Sequence, residues 1–324
     1  MKHCLPVLAF LIGLPMALPS HADAPQCSLK RVTELAADTS QGELLVKTQV
    51  EGHDAWMRVE TASPLTTVSA HLADTLKLTR FVTDGGMVDA ANKQLNHAVK
   101  LHDLQLGALH VNATDGRILV SNEQAGDGHV DGTLGADILM NYDVELDLKH
   151  GKIYLYQQDH CTGQVVYWTQ DFMSVPFDLD LSRHIVFDAI LDGHSLRSLL
   201  DTGSANSSLS TQKARQIFDL DPQAAGTKPD GQFSTGTGGS LPYFRHRFAK
   251  LSVAGIDFQN TELLLTPDMR SLQERNQRVS GTVVAPSEIN QETPLTLGLH
   301  HLMKLRIFIA YRERDLYISA ADAN

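Results

Sequence analysis

Short runs of apolar residues, many of them alternating with polar ones, fill most of the chain, and turn-forming residues separate the runs. The run over 185–191 predicts a strand, and Asp192-Gly193 predicts a tight turn into a second strand. That second strand ends at Leu199-Leu200, directly before Asp201-Thr202-Gly203-Ser204. We therefore expect a hairpin that carries the Asp201 carboxylate to a sharp turn, with a helix over 211–218 behind it.

The same pattern occurs a second time, earlier in the chain. Gly52-His53 and Gly193-His194 lie 141 residues apart, and this offset puts Glu60 at the place of Asp201. A further landmark, 132–139, matches 295–302 at an offset of 163, and a pair of predicted strands follows each copy. The difference, 163 − 141 = 22 residues, is an insertion in the second copy, most of it within 268–294. The sequence therefore predicts two related lobes in tandem.

The second copy resembles the retropepsin-like aspartic peptidases, in which two apolar residues precede Asp-Thr-Gly-Ser and an apolar-apolar-Gly strand follows downstream. The tandem resembles the single-chain, pepsin-like form over residues 42–156 and 183–320. This resemblance implies a mostly β fold of two closed β-barrel lobes in a bilobal arrangement. It also implies an aspartic endopeptidase without a cofactor, in which Asp201 and Glu60 share a proton and activate a water against a peptide or an unfolded protein.

The resemblance further assigns roles to the residues around the two acids. The expected supporting residues are Thr202, Gly203, Ser204, Thr61 and Ser63, with Ser204 bonding the carboxylate and Gly203 permitting the backbone of the turn. The glycines at the tips of two predicted hairpins, in the place of the flap that closes over bound peptide, are Gly85, Gly86, Gly236, Gly238 and Gly239. For the first of these hairpins, an ordinary solvent-exposed hairpin is the alternative.

The first copy departs from the family pattern at two positions. Glu60 is one methylene longer than aspartate, and Ala62 adds a Cβ where the family has glycine. The methylene displaces the carboxylate by more than ~1 Å, whereas catalytic geometry tolerates about half of that, so both changes are expected to weaken the pair. Three interpretations remain: a working Glu60–Asp201 pair, a non-hydrolytic peptide-binding relative, and a homodimer with one Asp201 from each chain. The complete second motif favours a peptidase, and a monomer is favoured over the homodimer.

The first 22 residues have the features of a secretory signal peptide. Lys2 precedes an apolar run over 5–18, and Ser20-His21-Ala22 fits a cleavage site. The run is shorter than the ~20 residues of a membrane-spanning helix, so we expect no membrane span and a periplasmic or secreted protein. In such an oxidising compartment Cys27 and Cys161, which bracket the first lobe, are expected to form a disulfide, with two unpaired thiols as the alternative.

The remaining boundaries follow from these landmarks. They give a first lobe over 23–156, a linker over 157–172 and a second lobe over 173–320, and the apolar residues at 165–168 predict an ordered crossing. The net charge of -11 argues against nucleic acid as a partner. The adjacent pair His300-His301 lacks the spacing that places two ligands on one helix face, so we expect no metal site.

Overall fold

The computed structural model describes residues 28–83, 95–111, 116–121, 130–221, 223–234, 240–267 and 293–323. Strands dominate both halves of the described chain. Those of the first half are β1 (Arg31–Asp38), β2 (Leu45–Val50), β3 (His53–Val59), β4 (Thr67–Ser69), β5 (Arg80–Val82), β6 (His97–Lys100), β7 (Leu104–Leu106), β8 (Leu109–Val111), β9 (Arg117–Ser121), β10 (Gly132–Leu134), β11 (Asp143–Asp147) and β12 (Lys152–Tyr156).

The second half repeats this plan with longer hairpins. Its strands are β13 (Met173–Pro176), β14 (Asp178–Leu179), β15 (Ile185–Leu191), β16 (His194–Leu200), β17 (Ser208–Ser210), β18 (Thr227–Ser234), β19 (Ser240–Arg247), β20 (Lys250–Val253), β21 (Ile256–Gln259), β22 (Glu262–Thr266), β23 (Leu295–Leu297), β24 (Leu305–Ala310) and β25 (Asp315–Ala320). The short helices are α1 (Ala70–Thr75), α2 (Ala136–Leu139), α3 (Thr211–Phe218) and α4 (Leu299–Leu302), with a 3-10 turn over Leu148–His150.

One sheet runs from the first lobe into the second. Its order is β13-β25-β24-β11-β12-β1-β2-β3-β10-β4-β9-β6-β5, with β7 paired to β2 and β8 to β7. The antiparallel pair β11–β24 joins the lobes, with Val144 opposite Ile309 and Leu146 opposite Ile307. All four side chains are buried. Backbone hydrogen bonds and apolar packing therefore both hold the lobes together.

The other sheet belongs to the second lobe, in the order β18-β19-β22-β17-β23-β16-β15-β20-β21, with β14 beside β15. In each lobe the strand that leads to the acid, β3 or β16, pairs in parallel with a strand that ends directly before a glycine, β10 or β23. We call β10 and β23 the apolar-Gly strands. Val59 lies opposite Leu134 and Leu200 opposite Leu297, at the offsets of 141 and 163 that the sequence repeat predicted. The mostly β, two-lobed fold is thus confirmed.

A buried ion pair lies beside the junction of the lobes. The Arg306 guanidinium donates to Glu145 Oε1 through Nε (2.8 Å) and Nη2 (2.5 Å), and Glu145 is fully buried. The Tyr156 and Tyr167 hydroxyls donate to the same carboxylate, and Arg306 stacks on the Trp168 ring at 4.5 Å. A buried charge is tolerated when it is paired and hydrogen-bonded in this way. Because Tyr167 and Trp168 belong to the linker, the predicted ordered crossing is packed, although it forms no strand.

Across the described ranges, no helix is both long and apolar enough to cross a membrane.

Candidate active site

The backbone of each acid is fixed by the neighbouring apolar-Gly strand. The Asp201 N–H donates to the Leu297 carbonyl oxygen at 3.1 Å, and the Glu60 N–H donates to the Leu134 carbonyl oxygen at 3.0 Å. Both acids follow directly after the last residue of a strand, β16 or β3, and both are half-buried. The two lobes therefore present their acids in the same backbone setting.

Two threonines lock the acid turns to each other. The Thr61 hydroxyl donates to the Leu200 carbonyl oxygen (2.8 Å), and the Thr202 hydroxyl donates to the Val59 carbonyl oxygen (2.7 Å). Each hydroxyl also accepts the backbone N–H of the other threonine, at 3.0 and 3.2 Å. Both threonines are buried. Since Leu200 and Val59 directly precede the two acids, this reciprocal set holds Asp201 and Glu60 at one interface.

Donors of its own turn fix the Asp201 carboxylate. The Gly203 N–H donates to Oδ1 at 2.8 Å, and the Ser204 hydroxyl donates to Oδ2 at 2.7 Å. An ionised carboxylate is an acceptor on both oxygens, so this arrangement suits Asp201 in its charged form.

The Glu60 side chain lies directly against Gly203. A Cβ at position 203 would lie 2.5 Å from Glu60 Cγ and 2.6 Å from both Cδ and Oε1, which is too close for any real contact. The φ of Gly203 is not positive, so the turn does not need glycine for a left-handed backbone conformation. The glycine is needed for space: its N–H binds Asp201 Oδ1, and the Glu60 side chain occupies the place that a Cβ on residue 203 would take.

Comparison with known proteins agrees with this geometry. Residues 187–300, within the second lobe, match the family model described as aspartyl protease. The match covers 114 of the 324 residues and lies wholly in the half of the chain that carries Asp201. No match was found among curated protein sequences.

Similarity to solved structures extends over both lobes. The aspartic proteinase from Irpex lacteus aligns with 90% of this chain and 97% of its own, at 14% identity and a TM-score of 0.54. Basic 7S globulin from soybean aligns at 11% identity over 92% and 96% of the two chains, with a TM-score of 0.47. Conglutin gamma, a basic 7S globulin from lupine seeds, aligns at 12% identity over 91% and 95%, also with a TM-score of 0.47. The first of these alignments shows that the aspartic proteinase fold spans this chain.

The first-lobe acid turn differs from the second in detail. The Ser63 hydroxyl donates to the Leu65 carbonyl oxygen at 2.9 Å, whereas the equivalent Ser204 donates to the acid of its own lobe. Ala62 is half-buried at the position equivalent to Gly203. The extra Cβ is thus accommodated in the first lobe, where the second lobe has no room for one.

Behind the first acid turn, a hydroxyl and a carboxylate hold the apolar-Gly strand. The Gly135 N–H donates to Thr66 Oγ1 at 3.0 Å. The Thr66 hydroxyl and N–H both donate to Asp137 Oδ1, at 2.7 and 2.8 Å. These bonds attach the start of α2 to the segment that follows Glu60.

Behind the second acid turn, a buried histidine replaces the carboxylate. The Gly298 N–H donates to Ser207 Oγ at 2.9 Å, which lies 2.8 Å from His301 Nδ1, and His301 Nε2 lies 2.6 Å from Thr261 Oγ1. Burial, reinforced by the nearby His300 and Lys304, lowers the pKa of His301 to about 3. A neutral ring fits the chain of bonds, with Nδ1 accepting from Ser207 and Nε2 donating to Thr261. Sequence reasoning treated His301 only as a rejected metal ligand and missed this role.

Hairpins occur in both lobes at the positions where the sequence predicted them. Strands β5 and β6 pair in the first lobe, and the Thr83 N–H extends the pairing by donating to the Asn96 carbonyl oxygen (2.9 Å). Strands β18 and β19 pair in the second lobe over most of their length. The tip glycines lie outside the described residues, namely Gly85, Gly86, Gly236, Gly238 and Gly239.

Two further predictions concern other parts of the chain. Cys27 lies outside the described residues, so its pairing with Cys161 stays a prediction. Among the residues that the structure describes, no group of three or more histidine, cysteine or acidic side chains is arranged to hold a metal ion.

Proposed function

We propose that the protein is an aspartic-type endopeptidase whose catalytic pair is Asp201 and Glu60 of the same chain. The observation that carries this proposal is the position of Gly203, whose N–H binds Asp201 Oδ1 while its Cα faces the Glu60 carboxylate. In the proposed pair one acid accepts a proton while the other donates one, as acid–base catalysis by two carboxyl groups requires.

The two acids take different roles in the proposed reaction. Asp201, held by two donors, is the base: it accepts a proton from a water whose oxygen attacks the peptide carbonyl carbon. Glu60 is the acid and gives its proton to the carbonyl oxygen. In the second step the carbon–nitrogen bond breaks, Asp201 protonates the leaving amine, and Glu60 takes a proton back from a hydroxyl of the intermediate. Both residues return to their starting states.

A single chain supplies both acids in this proposal. The reciprocal hydrogen bonds of Thr61 and Thr202 join the two turns within one molecule, and the β11–β24 pairing aligns the lobes behind them. These contacts favour the monomer over a homodimer with two Asp201 residues. They also favour a working pair over a degenerate first lobe, because the Glu60 carboxylate is directed to the interface.

The substrate class and setting are proposed with the activity. The substrate is a peptide or an unfolded protein, the class on which the family acts. From the N-terminal sequence pattern we propose secretion or export to the periplasm after removal of residues 1–22, with a Cys27–Cys161 disulfide closing the first lobe.

The test is hydrolysis of an unfolded protein at acidic pH by the mature chain, with and without a statine inhibitor that mimics the tetrahedral intermediate. We expect cleavage that the inhibitor blocks and that Asp201→Asn abolishes without changing the melting temperature. Asp188→Asn is the matched control, because this exposed aspartate lies on β15, away from the acid turns. Cleavage that survives Asp201→Asn would overturn the mechanism, and statine-sensitive peptide binding without cleavage would indicate the binding relative.

A further inference from the structure

The Glu60 side chain lies against Gly203, and it fits there because Gly203 has no side chain. Cγ, Cδ and Oε1 of Glu60 all lie within 2.6 Å of the place where a Cβ on residue 203 would be. The φ of Gly203 is not positive, so its backbone conformation does not itself require glycine. The requirement for glycine at this position is therefore set by the side chain that the other lobe places there.

Several contacts around the acids repeat under an exchange of the lobes, although the hydroxyls of Ser63 and Ser204 bond different partners. The turn of the first hairpin in each lobe reaches onto the acid turn of the other: Gly42 lies against Ala205, and Arg183 Nη1 lies 3.4 Å from the Pro64 carbonyl oxygen. Residues 42 and 183, and residues 64 and 205, are each 141 apart. The reciprocal threonines obey the same offset. This local symmetry predicts that Ala62 faces Asp201 as Gly203 faces Glu60.

We propose that the two acid turns are a matched set, in which the longer acid faces a glycine and the shorter acid faces an alanine. Gly203 is then a positioning residue for Glu60, and Ala62 is a positioning residue for Asp201. The Cβ of Ala62 fills space that a second glutamate would need, and the methylene of Glu60 fills space that an alanine at 203 would need. The two differences from the family pattern, at positions 60 and 62, are thus coupled through the interface to Gly203 and Asp201, and they keep the Glu60–Asp201 pair in place. That this pair is catalytic rests on the proposed peptidase function.

This proposal reverses the expectation from side-chain size alone. Taken singly, the longer acid and the extra Cβ each weaken the pair. Together with their partners across the interface, the longer acid and the extra Cβ fill the space between the two acid turns, because the larger residue on one side meets the smaller one on the other. Close packing of this kind makes the effects of neighbouring substitutions non-additive.

The first experiment measures melting temperatures for two double-mutant cycles. Gly203→Ala is expected to lower the melting temperature with Glu60 present and to lower it by less than half as much beside Glu60→Ala. Asp201→Glu is expected to lower it with Ala62 present and by less than half as much beside Ala62→Gly. Equal losses in both backgrounds of either cycle would overturn the proposal. If Gly203→Ala fails to fold, folding of the double variant supports the proposal and failure of both overturns it.

A control cycle separates this coupling from general tolerance to alanine. Gly132 also has an ordinary φ, and a Cβ there would collide with the Thr67 carbonyl oxygen, inside the first lobe. Gly132→Ala should therefore cost the same with glutamate or alanine at position 60. None of these measurements depends on peptidase activity, so a protein that cleaves nothing can still confirm or overturn the matched set.

The second experiment exchanges the two turns in a cleaving protein. Gly203→Ala alone should reduce kcat by at least about 100-fold with little change in KM, since misplacing a catalytic group by about 1 Å has effects of that size. The fourfold variant Glu60→Asp, Ala62→Gly, Asp201→Glu, Gly203→Ala exchanges the two turns. The glutamate at position 201 then faces a glycine at position 62, and the aspartate at position 60 faces an alanine at position 203. The kcat of the fourfold variant should be at least about tenfold higher than that of Gly203→Ala, a difference equivalent to about 1.4 kcal/mol. A fourfold variant no faster than Gly203→Ala would overturn the proposal.

Discussion

The two lobes share their hydrogen bonds to the backbone and differ in the side chains that lie behind them. In both, a hydroxyl accepts the N–H of the apolar-Gly strand, Thr66 in the first lobe and Ser207 in the second. The Thr66 hydroxyl is hydrogen-bonded to the carboxylate of Asp137, and the Ser207 hydroxyl is hydrogen-bonded to the buried neutral ring of His301. The bonds that set the position of the acids are thus retained, while the groups supporting them have changed chemically.

This difference shows which parts of the site can vary independently. A hydroxyl that bonds a glycine N–H fixes the backbone directly, so the acid turn moves if the hydroxyl is lost. The group behind it needs only to complete the hydrogen bonds of the hydroxyl, and an acid or a neutral histidine can do so. The acid turns show the same division. Thr61 and Thr202, which bond the backbone, are identical in the two lobes, whereas Glu60 differs from Asp201 and Ala62 differs from Gly203.

The largest effect is expected where the lobes are alike. Thr61→Val and Thr202→Val each leave a buried carbonyl and a buried N–H without partners, at about 1–3 kcal/mol per group, so each should lower the free energy of unfolding by about 2–6 kcal/mol. Because the four bonds are reciprocal, the two losses should agree within about 1 kcal/mol. Urea unfolding measures both. The serine variants, which keep the hydroxyl, are the controls, and a loss confined to one of the two valine variants would break the symmetry.

A smaller effect is expected where the lobes differ, and it depends on pH. The folded protein holds the pKa of His301 at about 3, below its ordinary value of 6.5, so between these values the unfolded chain binds a proton that the folded chain does not. Stability should therefore fall as the pH decreases from about 6.5 toward 3, by up to about 1.4 kcal/mol per pH unit from this residue. We expect His301→Gln, which cannot be protonated, to flatten this dependence.

The measurement is the free energy of unfolding at several pH values between 6.5 and 4 for the wild type and His301→Gln. The exposed His53 supplies a matched control, since His53→Gln makes the same substitution on the first lobe away from the core. A wild type and a His301→Gln variant with parallel pH profiles would contradict the assignment of a neutral, buried His301.

Local patterns in the sequence predicted much of the fold. The hairpin before Asp201 and the helix over Thr211–Phe218 follow from alternation and turn chemistry, which act over a few residues. The internal repeat then located Glu60, because one offset applies to the whole lobe. In this way a residue without a family signature could be placed opposite Asp201.

Contacts between distant residues could not be predicted in this way. The steric reason for Gly203 depends on a side chain 143 positions earlier, and the buried Glu145–Arg306 pair joins residues 161 apart. No local pattern marks either one. The same is true of His301, whose bonds reach Ser207 and Thr261 only after the second lobe has folded.

The most direct test of the central claim is the cleavage rate of Glu60→Gln. Glutamine has the size of glutamate, so it keeps the contact with Gly203 and the fold, and removes only the acidic proton and the charge. We predict that Glu60→Gln melts like the wild type and loses at least about 100-fold in kcat, within the range attributed to one acid–base group. Glu34→Gln, on β1 of the same lobe, serves as the control. A Glu60→Gln variant that cleaves as fast as the wild type would contradict the pairing of Glu60 with Asp201.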